Sequence, residues 1–170
     1  MSLPTAIHRI RLAALGLLLI LALAALPTSG ADASACHAGV HAYGTAQIRT
    51  FCGPASVTLI IAGKQVKLSG GTCTRTSQYL SVNIGSALLG TTKKAPPNYF
   101  GLDVGKTPGG GTPAPTDGTY PAFALAFASG GKSDSSTDAS VTLTNGRRRG
   151  TFTGTRLLSS GTVSGSFNCG

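Results

Sequence analysis

One cluster of potential metal ligands lies near the beginning of the chain. Cys36 and His37 are followed by His41, and Cys52 comes next among the candidate ligands. Two thiolates and two imidazoles suit zinc or copper. The spacing matches no common zinc module, however, and in an oxidising compartment Cys36 and Cys52 would form a disulfide and leave no thiolate. The sequence therefore favours no bound metal and no other cofactor, with a four-ligand metal site as the alternative.

Groups that could catalyse hydrolysis are few. The chain has no glutamate, and no G-x-S-x-G sequence marks a nucleophile elbow. A serine triad would have to recruit His37 or His41. We therefore expect no catalytic residues and no enzymatic activity; a cryptic hydrolase is an alternative that would need Asp103 close to His41 or to another acid. The carboxylates available after residue 35 are Asp103, Asp117, Asp134 and Asp138.

Positive charge dominates the same part of the chain. Twelve lysines and arginines stand against four aspartates there, and the bases are dispersed except at Lys93-Lys94 and Arg147-Arg148-Arg149. Such a surface attracts polyanions. We expect weak contact with anionic envelope polymers or lipid headgroups, without an aromatic platform, and no specific nucleic-acid binding. The three arginines are predicted at an exposed hairpin tip, so that replacing them together would barely affect the fold.

The first 35 residues have the pattern of a secretory signal peptide. Basic residues precede an uninterrupted apolar run, Leu12 to Leu26, and small residues at 31–35 offer A-x-A cleavage sites. The apolar run is 15 residues long, and a membrane-spanning helix needs about 20. This pattern predicts cleavage and an extracellular or envelope-associated mature protein.

The four cysteines all follow this segment. An even number of cysteines in an exported chain predicts two disulfides, for which three connectivities exist. The sequence favours Cys36 with Cys52, because the intervening segment has no strong strand pattern, and Cys73 with Cys169. Cys169 shares one strand face with Phe167. The other two connectivities remain open.

Alternation of apolar and polar residues recurs through the rest of the chain and predicts an all-β fold, an antiparallel β-sandwich or partly open barrel. Turns are indicated at 62–64 and at Asn145-Gly146. Residues 86–90 could form one helical turn, and 91–98 and 105–119 are predicted surface loops, the second a flexible connection. The inward side chains are expected to include Leu59, Ile61, Val82, Leu102, Leu125, Leu143 and Phe167.

Several stretches of the chain resemble the mycobacterial lipoprotein antigen family of the LpqH type. They are a hairpin with a G-K turn, a cysteine soon after it, a strand ending in I-G and a closing segment with a terminal cysteine: residues 57–66, 71–74, 80–85 and 161–169. The resemblance implies a β-rich exported domain with a Cys73–Cys169 bridge, displayed on the envelope without enzymatic activity. Members of that family carry a lipidated cysteine directly after the apolar signal core. Here Cys36 stands ten residues beyond Leu26, so a lipid anchor at Cys36 is the minor alternative.

These observations predict three regions and one functional class. The regions are a signal peptide (1–35), an N-terminal segment with a local disulfide (36–54) and a β domain (55–170). The class is an exported, non-catalytic β domain, antigen-like and surface-binding, whose ligand and oligomeric state the sequence does not indicate.

Overall fold

The computed structural model describes residues 36–107 and 109–170, and all regular structure in them is β. The predicted signal peptide lies outside the described residues. The strands are β1 Gly39–Tyr43, β2 Ala46–Phe51, β3 Ser56–Ile61, β4 Lys64–Ser69, β5 Gly71–Arg75, β6 Tyr79–Leu89, β7 Tyr99–Gly105, β8 Gly118–Ser129, β9 Lys132–Ser136, β10 Ser140–Thr144, β11 Arg149–Thr155 and β12 Thr162–Asn168.

The strands form two antiparallel sheets that share β8. Sheet A has the order β1-β2-β6-β7-β8-β9, with β5 also paired to β6, and sheet B has the order β8-β10-β11-β12-β3-β4. Residues 118–121 of β8 pair with β10, whereas residues 122–129 pair with β7 and β9. The chain thus passes from one sheet to the other along a single strand, and the predicted antiparallel all-β fold is confirmed.

One hydrophobic core lies between the sheets. Phe100 of β7 and Phe152 of β11 stack across it with ring centroids 5.1 Å apart. Successive side chains of a strand point to opposite faces, so each alternating segment delivers its apolar set to this core. Of the predicted inward side chains, Leu59, Val82, Leu102, Leu125, Leu143 and Phe167 are buried, and Ile61 packs against them partly buried.

Both disulfides have the pairing that the sequence favoured. Cys36 and Cys52 join the two ends of the β1–β2 hairpin, with Cα atoms 5.8 Å apart. Cys73 on β5 of sheet A is bonded to Cys169, which follows β12 of sheet B, with Cα atoms 5.6 Å apart. The second bond therefore ties the two sheets together at one end of the sandwich.

The structure differs from the sequence-based expectations at three places. The segment between Cys36 and Cys52, which has no strong strand pattern, forms β1 and β2, and β2 pairs with β6. Of residues 86–90, which could have formed one helical turn, residues 86–89 continue β6. The connection before β8 is anchored, because Ala114 is fully buried and its N–H donates to the Gln78 carbonyl at 2.9 Å. In each case the local pattern was weak because these residues contact other parts of the chain rather than burying a regular apolar face.

Candidate ligand-binding groove on sheet A

The cluster of potential metal ligands does not assemble as a site. The disulfide between Cys36 and Cys52 takes both thiolates, and Nε2 of His41 lies 2.9 Å from the His37 carbonyl oxygen, within hydrogen-bond distance. Among residues 36–107 and 109–170, no group of three or more His, Cys, Asp or Glu side chains could hold a metal ion. The structure therefore contradicts the alternative of a four-ligand metal site with two sulfur ligands.

Two of the four carboxylates organise the region around β9 and β11. Asp134 is 5% exposed and forms an ion pair with Arg156 at 3.1 Å. Burial alone would raise the pKa of Asp134, but hydrogen bonds from the N–H groups of Leu158 and Ser135, and from side chains including Arg156, together lower it. Asp138 accepts hydrogen bonds from Thr155 and Ser136, which lower its pKa to about 2. These carboxylates hold the backbone in place.

The basic cluster at the β10–β11 turn also has a structural part, contrary to its predicted exposure. The Arg147 guanidinium donates to the carbonyl oxygens of Ala114 at 2.9 Å and Thr76 at 2.8 Å. The Arg147 backbone, in turn, donates to the Asp117 carboxylate at 2.7 Å. Arg147 is half-buried, and only Arg148 and Arg149 are exposed. The predicted exposure is therefore wrong for Arg147, and we expect its replacement to destabilise the fold.

The two predicted basic clusters do not form one patch. Lys93 and Lys94 follow the end of β6, whereas Arg147 contacts residues just before its beginning. A strand of that length spans roughly 30 Å. Lys94 places its ammonium 5.2 Å from the centroid of the Tyr43 ring, so one of these bases does stand next to an aromatic side chain, which the sequence did not indicate.

A groove opens on the outer face of sheet A where β2 and β5 meet. Both strands pair with the same edge of β6, β5 along its first half and β2 along its second half. The change of partner occurs at Gly85, whose positive φ of 83° favours glycine. The groove has a volume of about 410 Å³ and is lined by Ala38, Gly39, Arg49, Thr50, Phe51, Cys52, Thr72, Thr74 and Asn83.

Aromatic side chains stand at one side of this groove. Phe51 and Tyr99 pair with Gly85 from its two sides, and their ring centroids are 6.1 Å apart. The exposed Arg49 guanidinium lies over the Phe51 ring, 5.5 Å from its centroid. The hydroxyl end of Tyr99 lies over Gly101, in the space that a side chain at residue 101 would occupy. The absence of a Cβ at Gly101 thus makes room for the Tyr99 ring on this face of the sheet.

A short hydrogen-bond chain orients the polar groups beside these rings. The Tyr99 hydroxyl donates to Oδ1 of Asn83 at 2.7 Å, and the Asn83 amide donates to the Ser81 hydroxyl at 3.0 Å. Burial raises the pKa of the Tyr99 hydroxyl, and the nearby Asp103 carboxylate raises it further. Tyr99 therefore stays protonated at neutral pH and keeps the Asn83 amide in one orientation.

The groove is lined by groups that can hydrogen-bond to a ligand or pack against it. The residues that line it include no acid, no imidazole and no free thiol. They offer the Phe51 ring, hydroxyl and amide groups and one guanidinium, and the Tyr99 ring lies next to Phe51. A second, more apolar pocket of about 200 Å³ lies on the other side of Tyr99, against Pro96, Pro97 and Ala126.

The outer face of sheet B has a different composition. Hydroxyl side chains occupy one register row across five adjacent strands: Thr119, Thr142, Thr151, Ser166 and Thr58. The hydroxyls of Thr119 and Thr142 are 2.9 Å apart. Arg149 lies beside this row, at a depression of about 430 Å³, similar in volume to the groove on sheet A. No aromatic side chain other than the buried Phe167 lines this depression.

Sequence reasoning missed Arg49, Phe51, Asn83 and Tyr99. The available signal was the i, i+2 spacing of Arg49 and Phe51, which places both on one face of a strand, but the strand itself was not recognised.

Comparison of the chain with protein-family models, with curated proteins and with solved structures finds no match. In the part of the chain that the structure describes, no helix has the length and apolar character needed to cross a membrane.

Proposed function

We propose that this chain is an exported, non-catalytic binding module, secreted or held at the cell envelope, and that the outer face of sheet A is its binding face. The observation that carries the proposal is the groove with Arg49, Phe51, Tyr99 and Asn83 around it. Its volume of about 410 Å³ lies in the range of ligand sites, roughly 300–1,000 Å³. The side chains in it can position a ligand but offer no nucleophile next to a base.

Four further observations support export and a non-catalytic role. Two disulfides are typical of proteins in oxidising compartments. The N-terminal 35 residues have the pattern of a signal peptide. The resemblance to mycobacterial lipoprotein antigens favours display at the envelope. Among the carboxylates, Asp117, Asp134 and Asp138 accept backbone N–H groups, which leaves Asp103 on the face of sheet A.

A matched pair of bulky substitutions tests the binding face without assuming a ligand class. Thr74 is exposed in the groove, and Thr151 is exposed at the depression on sheet B. We expect Thr74→Trp to abolish retention of the mature protein on isolated cell wall, because the indole fills the groove. Thr151→Trp should leave retention unchanged. Tryptophan is favoured in strands, so both variants should fold, which circular dichroism would verify.

Two results would contradict this proposal. One is equal retention of Thr74→Trp and the parent protein. The other is a parent protein that does not bind cell wall, and binds anionic liposomes or DNA only at low salt, since that behaviour reports net charge alone.

A further inference from the structure

We propose that the groove on sheet A binds an acidic polysaccharide, with a pyranose ring against Phe51 and Tyr99 and the sugar carboxylate on Arg49. This inference rests on the proposed function and adds the chemical class of the ligand. It combines one charged group, one ring and a set of hydroxyl and amide groups that line a single open groove, with the Tyr99 ring beside them.

The first step concerns Arg49. Its guanidinium is exposed at the groove, and within the described part of the chain no carboxylate pairs with it, the single ion pair there being Arg156 with Asp134. A guanidinium offers a planar fork of donors that matches a carboxylate with two parallel hydrogen bonds. Packing against the Phe51 ring limits the motion of Arg49. The fork is thus held at the groove without a partner of opposite charge.

The second step concerns the position of the opposite charge on the same face. Asp103 is paired with Ser81 in the register, whereas Arg49 is paired with Ala87. These two positions on β6 are about 20 Å apart along the strand. Arg49 therefore attracts a ligand carboxylate bound next to it. Asp103, which would repel that carboxylate, lies beyond the Debye length of about 8 Å at physiological salt.

The third step concerns the rest of a sugar ring. A pyranose has an apolar C–H face and a rim of hydroxyls; Phe51 in the groove and Tyr99 next to it provide aromatic surface. Asn83 still has one amide hydrogen and one oxygen lone pair after its bonds to Ser81 and Tyr99. Thr72 and Thr74 add hydroxyls on the opposite side. Donors and acceptors thus surround the ring surface, as sugar hydroxyls require.

Two other classes of anionic ligand fit the groove less well. An anionic lipid needs a continuous apolar surface for its chains, and hydroxyl, amide and guanidinium groups interrupt the lining of this groove. A nucleic acid strand is held through several phosphates at once, and Arg49 is the only cation among the lining residues. One carboxylate on a polyhydroxylated ring matches one guanidinium.

The test uses a galacturonate oligosaccharide and its methyl ester, which share the ring and hydroxyls but differ in charge. Titration calorimetry of the mature, disulfide-bonded protein at about 0.15 M salt should show binding of the acid, and at least about tenfold weaker binding of the ester, because charge-assisted hydrogen bonds are lost. Arg49→Gln should weaken acid binding by about tenfold and abolish the preference for acid over ester. Arg49→Lys, which keeps the charge but loses the fork, should restore part of the affinity.

Arg148→Gln is the matched control, because Arg148 is exposed at the opposite sheet and the substitution removes the same charge. It should change the affinity by less than about twofold. Equal loss in Arg49→Gln and Arg148→Gln, or equal binding of acid and ester, would overturn the inference. If Thr74→Trp loses cell-wall retention while neither oligosaccharide binds, the proposed function stands and the acidic sugar is excluded. If wall retention is also absent in the parent, the proposed function itself fails.

Discussion

The outer faces of the two sheets are made by the same alternation of side chains and yet carry different chemistry. On sheet B, the rows of Ser and Thr run in register across adjacent strands and form a polar surface around a depression of similar volume. On sheet A, two rings, an arginine and an asparagine border a groove. Both faces are antiparallel sheet, so secondary structure does not explain the difference.

The difference follows from how the strands share partners. In sheet B, β12 pairs along its whole length with β11 on one side and along most of it with β3 on the other, and the side chains fall into straight rows. In sheet A, β6 is longer than either β2 or β5. One half of β6 pairs with β5 and the other half with β2, and the change of partner occurs at Gly85. A groove forms where two strand ends meet on one edge. A change of strand partner can therefore create a site on an otherwise plain sheet.

The largest effect is expected from the disulfide that joins the two sheets. Replacing Cys73 and Cys169 together by Ser releases a loop with a sequence separation of 96, and should lower the free energy of unfolding by about 4 kcal/mol. Replacing Cys36 and Cys52, separated by 16 residues, should cost about 3 kcal/mol but should impair cell-wall retention more, because Cys52 lines the groove.

Urea denaturation and wall retention, measured on both double variants, separate the two roles. A Cys73→Ser/Cys169→Ser variant that is more stable than the Cys36→Ser/Cys52→Ser variant would contradict the assignment of the long bridge to the joining of the sheets.

A smaller effect is expected at Arg147, which connects the β10–β11 turn of sheet B to residues next to β5 and β6 of sheet A. Arg147→Ala leaves the carbonyl oxygens of Ala114 and Thr76 without their charged donor. We expect a loss of about 2 kcal/mol in the free energy of unfolding. Arg148→Ala, at an exposed neighbouring side chain, should stay within about 0.5 kcal/mol.

Chemical denaturation of the two alanine variants checks this difference. If they are equally stable, the guanidinium contacts do not contribute to holding the two sheets together.

The smallest effect is a pH dependence that belongs to the region of β9 to β11 rather than to the groove. The pKa of Asp138 is lowered to about 2 and that of Asp134 is also lowered. A carboxyl whose pKa is lower in the folded state contributes stability above its unfolded pKa of about 3.9, and this contribution is lost as the pH falls through the folded pKa. The contribution of these two carboxylates to Tm should therefore be constant above about pH 5, and Tm should fall between about pH 4 and 2.

Asp138→Asn should have a lower Tm at neutral pH and a flatter decrease in acid, as measured by thermal melts over this pH range. Parallel Tm curves for the variant and the parent would show that the hydrogen bonds to Asp138 contribute no pH-dependent stability.

The sequence alone determined the fold class, the inward faces and the disulfide-bonded character of the domain. These features depend on local periodicity and on residue types that the chain carries by itself. Val82 and Leu143 alternate with polar neighbours, and one face of a strand must be buried. Asn145-Gly146 indicated a turn because both residues tolerate the positive φ that they adopt, 56° and 64°.

Only the tertiary structure decided the groove and the role of Arg147. Phe51 and Tyr99 are far apart in the chain and become neighbours because β2 and β7 pair with opposite edges of β6. β2 escaped recognition because neither of its faces is deeply buried, so no apolar alternation was required of it. Arg147 could not be distinguished from Arg148 in the sequence, since adjacent residues differ only in what the fold places against each of them. The local periodicity of a sequence indicates which side chains are buried. The groove depends instead on which strand ends meet, and only the assembled sheets determine this.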